Sequence, residues 1–221
     1  MSGDIIVDNT IASQVVRVLR NDIITKRIKA GSRITIKEIS ERYGVSNMPV
    51  REAFRTLEGE KLLEMNPYKG ATVLNIDVNF IRDTYGIIRA LESLITEEAM
   101  DDIDDAAVAH LHEINQSIAA LKREEIAEGK YNELNSEFHN IIFAFGKNAK
   151  ALDILRYQNS LILALRSVYV QHSERIKLAT SQHAKIASAL SQKDRVLLRV
   201  AVDEHTISAM EDFLQQFKEE N

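Results

Sequence analysis

The chain has 221 residues, 45% hydrophobic and 28% charged, with a formal charge of −5, which fits one large or two modest globular domains. It contains no cysteine, which excludes a disulfide framework and any thiolate metal centre. It shows no leader-like apolar run and no stretch long enough to span a bilayer, so a cytoplasmic protein without membrane contact is expected.

In chain order, residues 1–9 are expected to fray. From Ile11 to Ile28 the apolar residues Val15, Val18, Leu19, Ile23 and Ile24 fall largely on one side of a helix. A turn over residues 29–32 ends it. Two short helices joined at Gly44 follow. Ile36, Ile39 and Tyr43 give the first its apolar spacing, and Gly44 supplies a left-handed stop that glycine enters without strain. Val45 is the expected buried pin between the helices, and Ser46 the expected cap of the second, accepting a backbone N–H. Pro49 falls in that helix's first turn, where its missing N–H breaks no bond. Val50, Ala53, Phe54 and Leu57 form the inward stripe.

This is a helix-turn-helix pattern, and its second helix would enter a DNA major groove by its N-terminal end. Ser46, Asn47 and Arg51 then project outward. A hydroxyl, an amide and a guanidinium at a helix N-terminus suit phosphate and base edges. One arginine alone would read as an ordinary solvated side chain. The ordered set of cap, glycine, proline and stripe favours the DNA reading.

Beyond Leu63 the pattern alternates. Leu63 and Met65, a turn over residues 66–70, then Ala71 and Val73 predict a two-stranded hairpin with Lys69 and Gly70 at its tip. In isolation this would be a plain surface turn; after a helix-turn-helix it reads as a wing that could approach phosphates or the minor groove. Residues 1–75 carry 12 Lys and Arg against 9 Asp and Glu, whereas residues 76–221 carry 16 against 24. A mildly basic head on an acidic body stays compatible with DNA, because distant charges are screened beyond about a Debye length.

A linker near residues 75–77 divides the chain into domains 1–75 and 76–221. From Val78 only helical periodicity is present. Six helices are expected: from Val78 to Ala99, Val108 to Leu121, Leu134 to Phe145, Asn148 (as cap) to Val168, past Ile176 to Leu190, and Asp194 to Phe217. The acidic run Asp101–Asp105 is read as a solvated loop. Six helices without strands make an all-α bundle.

Within it Asn135 and His139 stand four apart, on one helical face, while His183 and His205 come from two later helices near apolar stripes. Three imidazoles from three helices could hold one divalent metal with positions left open. Singly, each would be a hydrogen-bonded core or surface histidine, and His110, His112 and His172 are left as structural.

The segment 44–73, GVSNMPVREAFRTLEGEKLLEMNPYKGATV, resembles the winged helix of GntR-type transcriptional regulators, with its G-V-S-R-T-P-V-R-E-A signature, E-G-L segment and wing turn. The resemblance implies phosphate contact by Lys37. Asn47 departs from the family's arginine, which removes a guanine reader, and an asparagine there would favour adenine through its paired donor and acceptor. In the second domain N-S-E-F-H, S-Q-H-A-K-I-A-S-A-L and D-E-H resemble the D-x-x-x-H, s-x-x-H-x-x-I-x-x-A and x-x-H motifs of the FCD domain, the helical effector domain of the FadR-like subfamily. There an aspartate and three histidines ligate zinc, nickel or a similar ion. Here Asn135 takes the aspartate's place, and an amide oxygen is the poorer ligand.

The family's effectors are often small carboxylic or sugar acids. Arg89, in I-I-R-A-L-E, resembles the family's R-x-x-L-E segment, and it and Arg166 are candidates to clamp a carboxylate. The expectation is therefore a mainly α protein: an N-terminal winged helix-turn-helix with a small β-hairpin wing, then an FCD-like helical domain for effector binding and dimerisation. It would be a ligand-responsive homodimeric repressor on a near-palindromic operator, and not an enzyme. Two alternatives stand beside it, a metal-dependent enzyme using the three histidines and a helical interaction module without a small ligand.

Overall fold

The computed structural model describes residues 10–67, 69–167, 169 and 171–219. The fraying expected over residues 1–9, turn residue 68 and the expected helix end at Val168 lie outside them. The chain divides into two compact units, the first ending at Asp77 and the second spanning Val78–Glu219.

The first unit opens with α1 (Ile11–Ile24), capped by Thr10, whose hydroxyl oxygen accepts from the Ser13 amide. The helix ends four residues before the expected Ile28. Thr25 donates its hydroxyl to Asn21, and Lys26 takes a left-handed φ of 57°. Ile28 is buried all the same, packing from the turn. Next come β1 (Arg33–Ile34), α2 (Ile36–Tyr43) and α3 (Asn47–Gly59). Thr35 and Glu38 form a reciprocal capping box on α2, and Gly44 closes it at φ 67°. Val50, Ala53, Phe54 and Leu57 are fully buried against α1, each large side chain contributing about 1.5–3 kcal/mol. Val45 is only half-buried, a weaker pin than its position implied.

Asp22 ties α1 to α2. Its buried carboxylate accepts from Tyr43 Oη at 2.9 Å and pairs with Arg42 at 3.1 Å and Arg27 at 3.4 Å. A buried charge is tolerable when bonded on this scale. Burial and the Asp22 bond push the Tyr43 phenol well above its ordinary range.

Strands β2 (Leu63–Asn66) and β3 (Gly70–Val73) form the expected hairpin, with Leu63 opposite Val73 and Asn66 opposite Gly70. The sheet has three strands rather than two, in the order β1-β3-β2, all antiparallel. Two-residue β1 is too short to show alternation in the sequence.

The second unit consists of α4 (Val78–Ala99), α5 (Asp105–Ala119), α6 (Arg123–Ala127), α7 (Lys130–Phe143), α8 (Ala149–Arg166), α9 (Ser173–Gln192) and α10 (Arg195–Glu219). Among the described residues that is seven helices, not six; α6 is a single capped turn with no buried residue. Helix α10 packs against α4 and α9, α5 against α7 and α9, and α4 against α8. Asp104 caps α5 through the Ala107 amide at 2.7 Å, and Asn148 caps α8 through the Ala151 amide at 3.0 Å. The acidic run is not simply solvated. Asp101 pairs with Arg195 at 2.5 Å and Asp102 with Lys147 at 2.7 Å, while Lys193 Nζ donates to the carbonyls of Met100 and Ile103.

Candidate functional site

In the first unit Lys37, Arg51, Lys69 and Gly70 line one groove, joined by Arg33, which the sequence reading did not single out. Arg33 Nε donates to the Lys69 carbonyl and so fixes the wing tip to β1. The groove collects four cationic side chains against the single carboxylate of Glu58, and such a field attracts a polyanion. Among the described residues Lys37 has only a long, exposed contact to Glu41 at 3.9 Å. Arg51 is exposed on the first turn and a half of α3.

Ser46 and Asn47 lie at the exposed tip of α3, outside that groove lining. One expectation for them needs correction. Ser46 holds the N-cap position but makes no side-chain cap bond. Asn47 Oδ1 accepts from Ser40 Oγ at 2.8 Å, which orients the amide while leaving its NH2 and the second lone pair of the oxygen. Gly70 has a structural reason of its own. At φ 88°, a Cβ there would collide with the backbone carbonyl of Ile34.

In the second unit the three histidines converge. His139 on α7, His183 on α9 and His205 on α10 bring one ring nitrogen each to within 4.8 Å of one another. Phe138 stacks flat on His183, centroids 4.0 Å apart. Burial holds all three imidazoles below their ordinary pKa, His183 and His205 well below it. Neutral rings keep the lone pair that a metal requires. His205 Nδ1 faces Gln182 Oε1 at 3.3 Å, and Gln182 is itself oriented by donating to the Glu204 carbonyl. The Nδ1–H tautomer this favours leaves His205 Nε2 free.

Whether this donor set suits a cation is tested by its unmade bonds. His183 has no partner at either nitrogen, and the buried Asn135 Oδ1 has none either. Ligand nitrogens around tetrahedral zinc stand about 3.4 Å apart, so the cluster, spread over at most 4.8 Å, fits after contraction by up to about 1.4 Å. Imidazole donors suit zinc, copper, iron or nickel.

A cavity of about 310 Å³ opens beside the cluster, lined by residues that include Asn135, His139, His205, Arg166 and Arg175. Arg166 is no surface ion pair: it is largely buried, 2.5 Å from Asp212, and also donates to Tyr85 Oη and the Ala209 carbonyl. Burial opposes its charge, but Tyr85 and Asp212 outweigh it and the guanidinium is held charged. Arg89 is not brought there. It lies about 70° round α4 from the mean direction of Tyr85, Ile88 and Glu92 and pairs with Asp203 at 3.6 Å on the surface. The cation that the sequence reading missed is Arg175, buried, lining the cavity, with Nε unpartnered and 4.0 Å from Asp212. Glu92 and Gln182 were missed too; only their neighbourhood to motif positions could have drawn attention to them.

Residues 11–73 match the model of bacterial regulatory proteins of the gntR family, and residues 83–208 match the FCD domain. The chain is 27% identical over 209 residues to the HTH-type transcriptional repressor RspR of Escherichia coli (strain K12), covering 94% of this chain and 90% of that protein. It is 29% identical over 202 residues to a probable D-xylose utilization operon transcriptional repressor of Paenarthrobacter nicotinovorans, covering 89% and 85%. The solved structure of E. coli McbR/YncC shares the fold with a TM-score of 0.62 at 20% identity, over 94% of this chain and 99% of that one. That of Listeria monocytogenes Lar does so with a TM-score of 0.71 at 14% identity, over 96% and 98%. Among the described residues no helix is long and apolar enough to cross a membrane. A basic groove on a helix-turn-helix head, a helical unit around a polar cavity and both family matches place the chain in the GntR family of transcriptional regulators, with an FCD domain as its helical unit.

Proposed function

We propose that the chain is a repressor whose grip on DNA is set by a small acid bound in the helical unit. Two copies pair about a two-fold axis, and each head reads one half of a near-palindrome, with Ser46, Asn47 and Arg51 at the tip of α3 and Lys37, Lys69 and Gly70 at the phosphates. Domain 1–75 is the DNA-binding part, and domain 76–221 binds the effector and pairs the copies. His139, His183 and His205, with Asn135, would hold zinc or nickel, which supplies a Lewis-acid anchor for an effector oxygen. Arg166 and Arg175 take the carboxylate.

One observation carries this reading: two imidazoles of the three-histidine cluster, His139 and His205, and two largely buried arginines border a single cavity large enough for a small molecule. The relatives' names support a carbohydrate-derived effector, since two are repressors of the D-xylose utilization and gluconate operons. Effector and operator must alter each other's affinity by the same factor. The test is fluorescence anisotropy on duplexes carrying the near-palindromes beside the protein's own gene, with and without a panel of sugar acids and dicarboxylates. Binding to one palindrome that shifts with one acid is the expected result. Equal affinity for all duplexes refutes the DNA part, and operator affinity indifferent to every acid refutes the switch.

A further inference from the structure

The proposed metal site lacks the carboxylate that its donor set would ordinarily include, because Asn135 contributes a neutral amide. Among the described residues lining the cavity, Glu92 is the one carboxylate. It is 6% exposed, on the inner face of α4. Its Oε1 lies 3.9 Å from Nδ1 of the neutral His139, while Oε2 accepts from Thr206 Oγ1 at 2.9 Å. Neither Arg166 nor Arg175 pairs with it; their carboxylate is Asp212. A buried carboxylate facing imidazoles, with no cationic side chain upon it, is costly unless a cation is held nearby.

We infer that Glu92 is the positioning and charge-balancing residue of the metal site, holding His139 by its Nδ1–H so that Nε2 turns to the ion. This rests on the metal reading of the preceding section and adds to it the source of the missing negative charge. The 3.9 Å separation needs to close by about an ångström to make a charge-assisted hydrogen bond of about 2.7–2.9 Å. Gln182 Oε1 stands in the corresponding place for His205, 3.3 Å from its Nδ1. A carboxylate behind a ligating imidazole fixes the ring and raises its basicity, and removing one weakens metal binding about 10–100-fold.

Glu92→Gln tests this, since glutamine keeps the shape and a partner for Thr206 but loses the charge. Zinc and nickel affinities of the full chain are measured by competition with a chromogenic chelator, and thermal stability is measured in EDTA. The expected result is a Glu92→Gln protein that binds about 10–100-fold more weakly, melts in EDTA no lower than the parent, and regains affinity when Asn135→Asp is added. A purely structural Glu92 gives the reverse, a lower melting temperature in EDTA with unchanged affinity; that overturns the inference and leaves the metal reading standing. A parent protein that binds neither zinc nor nickel overturns both.

Discussion

Replacing Gly70 by alanine separates a wing that needs glycine for its geometry from one that uses it only for a close approach to DNA. At φ 88° an L-residue costs about 1–2 kcal/mol in backbone strain. The new Cβ would also run into the Ile34 carbonyl oxygen, with Ile34 C at 3.1 Å and Thr35 Cα at 3.2 Å. These are backbone atoms, so no side-chain rotation relieves the clash. Relief requires β1 to move off β3, which strains the Gly31 amide to Val73 carbonyl bond at 2.8 Å and the Val73 amide to Ser32 carbonyl bond at 2.9 Å. Overpacking of this kind costs about 1–3 kcal/mol, so the total is about 2–5 kcal/mol, a large share of a small unit's stability. Gly31 is the internal control. Its φ is 72°, but a Cβ there meets nothing within 4 Å, so Gly31→Ala should show the strain alone. Urea melts followed by circular dichroism give the cost for each variant, and hydrogen exchange at the Val73 amide localises it. A Gly70→Ala protein no less stable than Gly31→Ala, with Val73 still protected, would refute the collision argument.

Three further outcomes are expected. Lys37→Ala should lower the salt dependence of operator binding by about one unit of slope and weaken all duplexes alike, whereas Arg51→Ala should cost about 1–3 kcal/mol and relax discrimination at one position; equal behaviour of the two would refute the assignment. In EDTA the protein should lose stability on acidification. Burial depresses the histidine pKa values in the folded state, so the unfolded chain takes up protons first; the stability is complete above about pH 6.5 and falls below it, by up to about 1.4 kcal/mol per pH unit for each histidine. A melting temperature that is flat or rising from pH 7 to pH 5 would contradict this. Phe138→Ala should cost about 3–5 kcal/mol and unseat His183, visible as a lower melting temperature together with weaker nickel binding.

What was legible in the sequence was what repeats along one element. The stripe of Val50, Ala53, Phe54 and Leu57, the stop at Gly44 and the cap at Asn148 are each decided by neighbours a few residues apart, and each stands in the structure as read. The misses share a different cause. Strand β1 is two residues and α6 five, too short for any period to emerge. Arg89 and Arg175 show the same limit at the site. Both are arginines on amphipathic helices, and only the angular position of one and the burial of the other decide which meets the cavity. The orientation of Asn47 was equally hidden: its side-chain oxygen accepts from Ser40, seven residues away across the turn.

Unmade bonds mark the candidate site more sharply than residue type does. A buried donor or acceptor left without a partner costs about 1–3 kcal/mol, so an ordinary core would place leucine or phenylalanine where His183 stands. Among the described residues the buried side-chain atoms without partners are Asn115 Oδ1, Asn135 Oδ1, Arg175 Nε and both nitrogens of His183. Asn115 shows that one such atom does not make a site, for its amide group already donates to the Thr180 carbonyl in an α5–α9 contact. The others come from α7 and α9 and gather at one place: Asn135 and Arg175 line the cavity, and His183 stands directly behind His139 and His205. Acceptors at one end and a guanidinium at the other ask for different partners, a cation and an anion. A metal-bound carboxylate provides both at once, and for that reason the two halves of the proposal stand or fall by separate measurements.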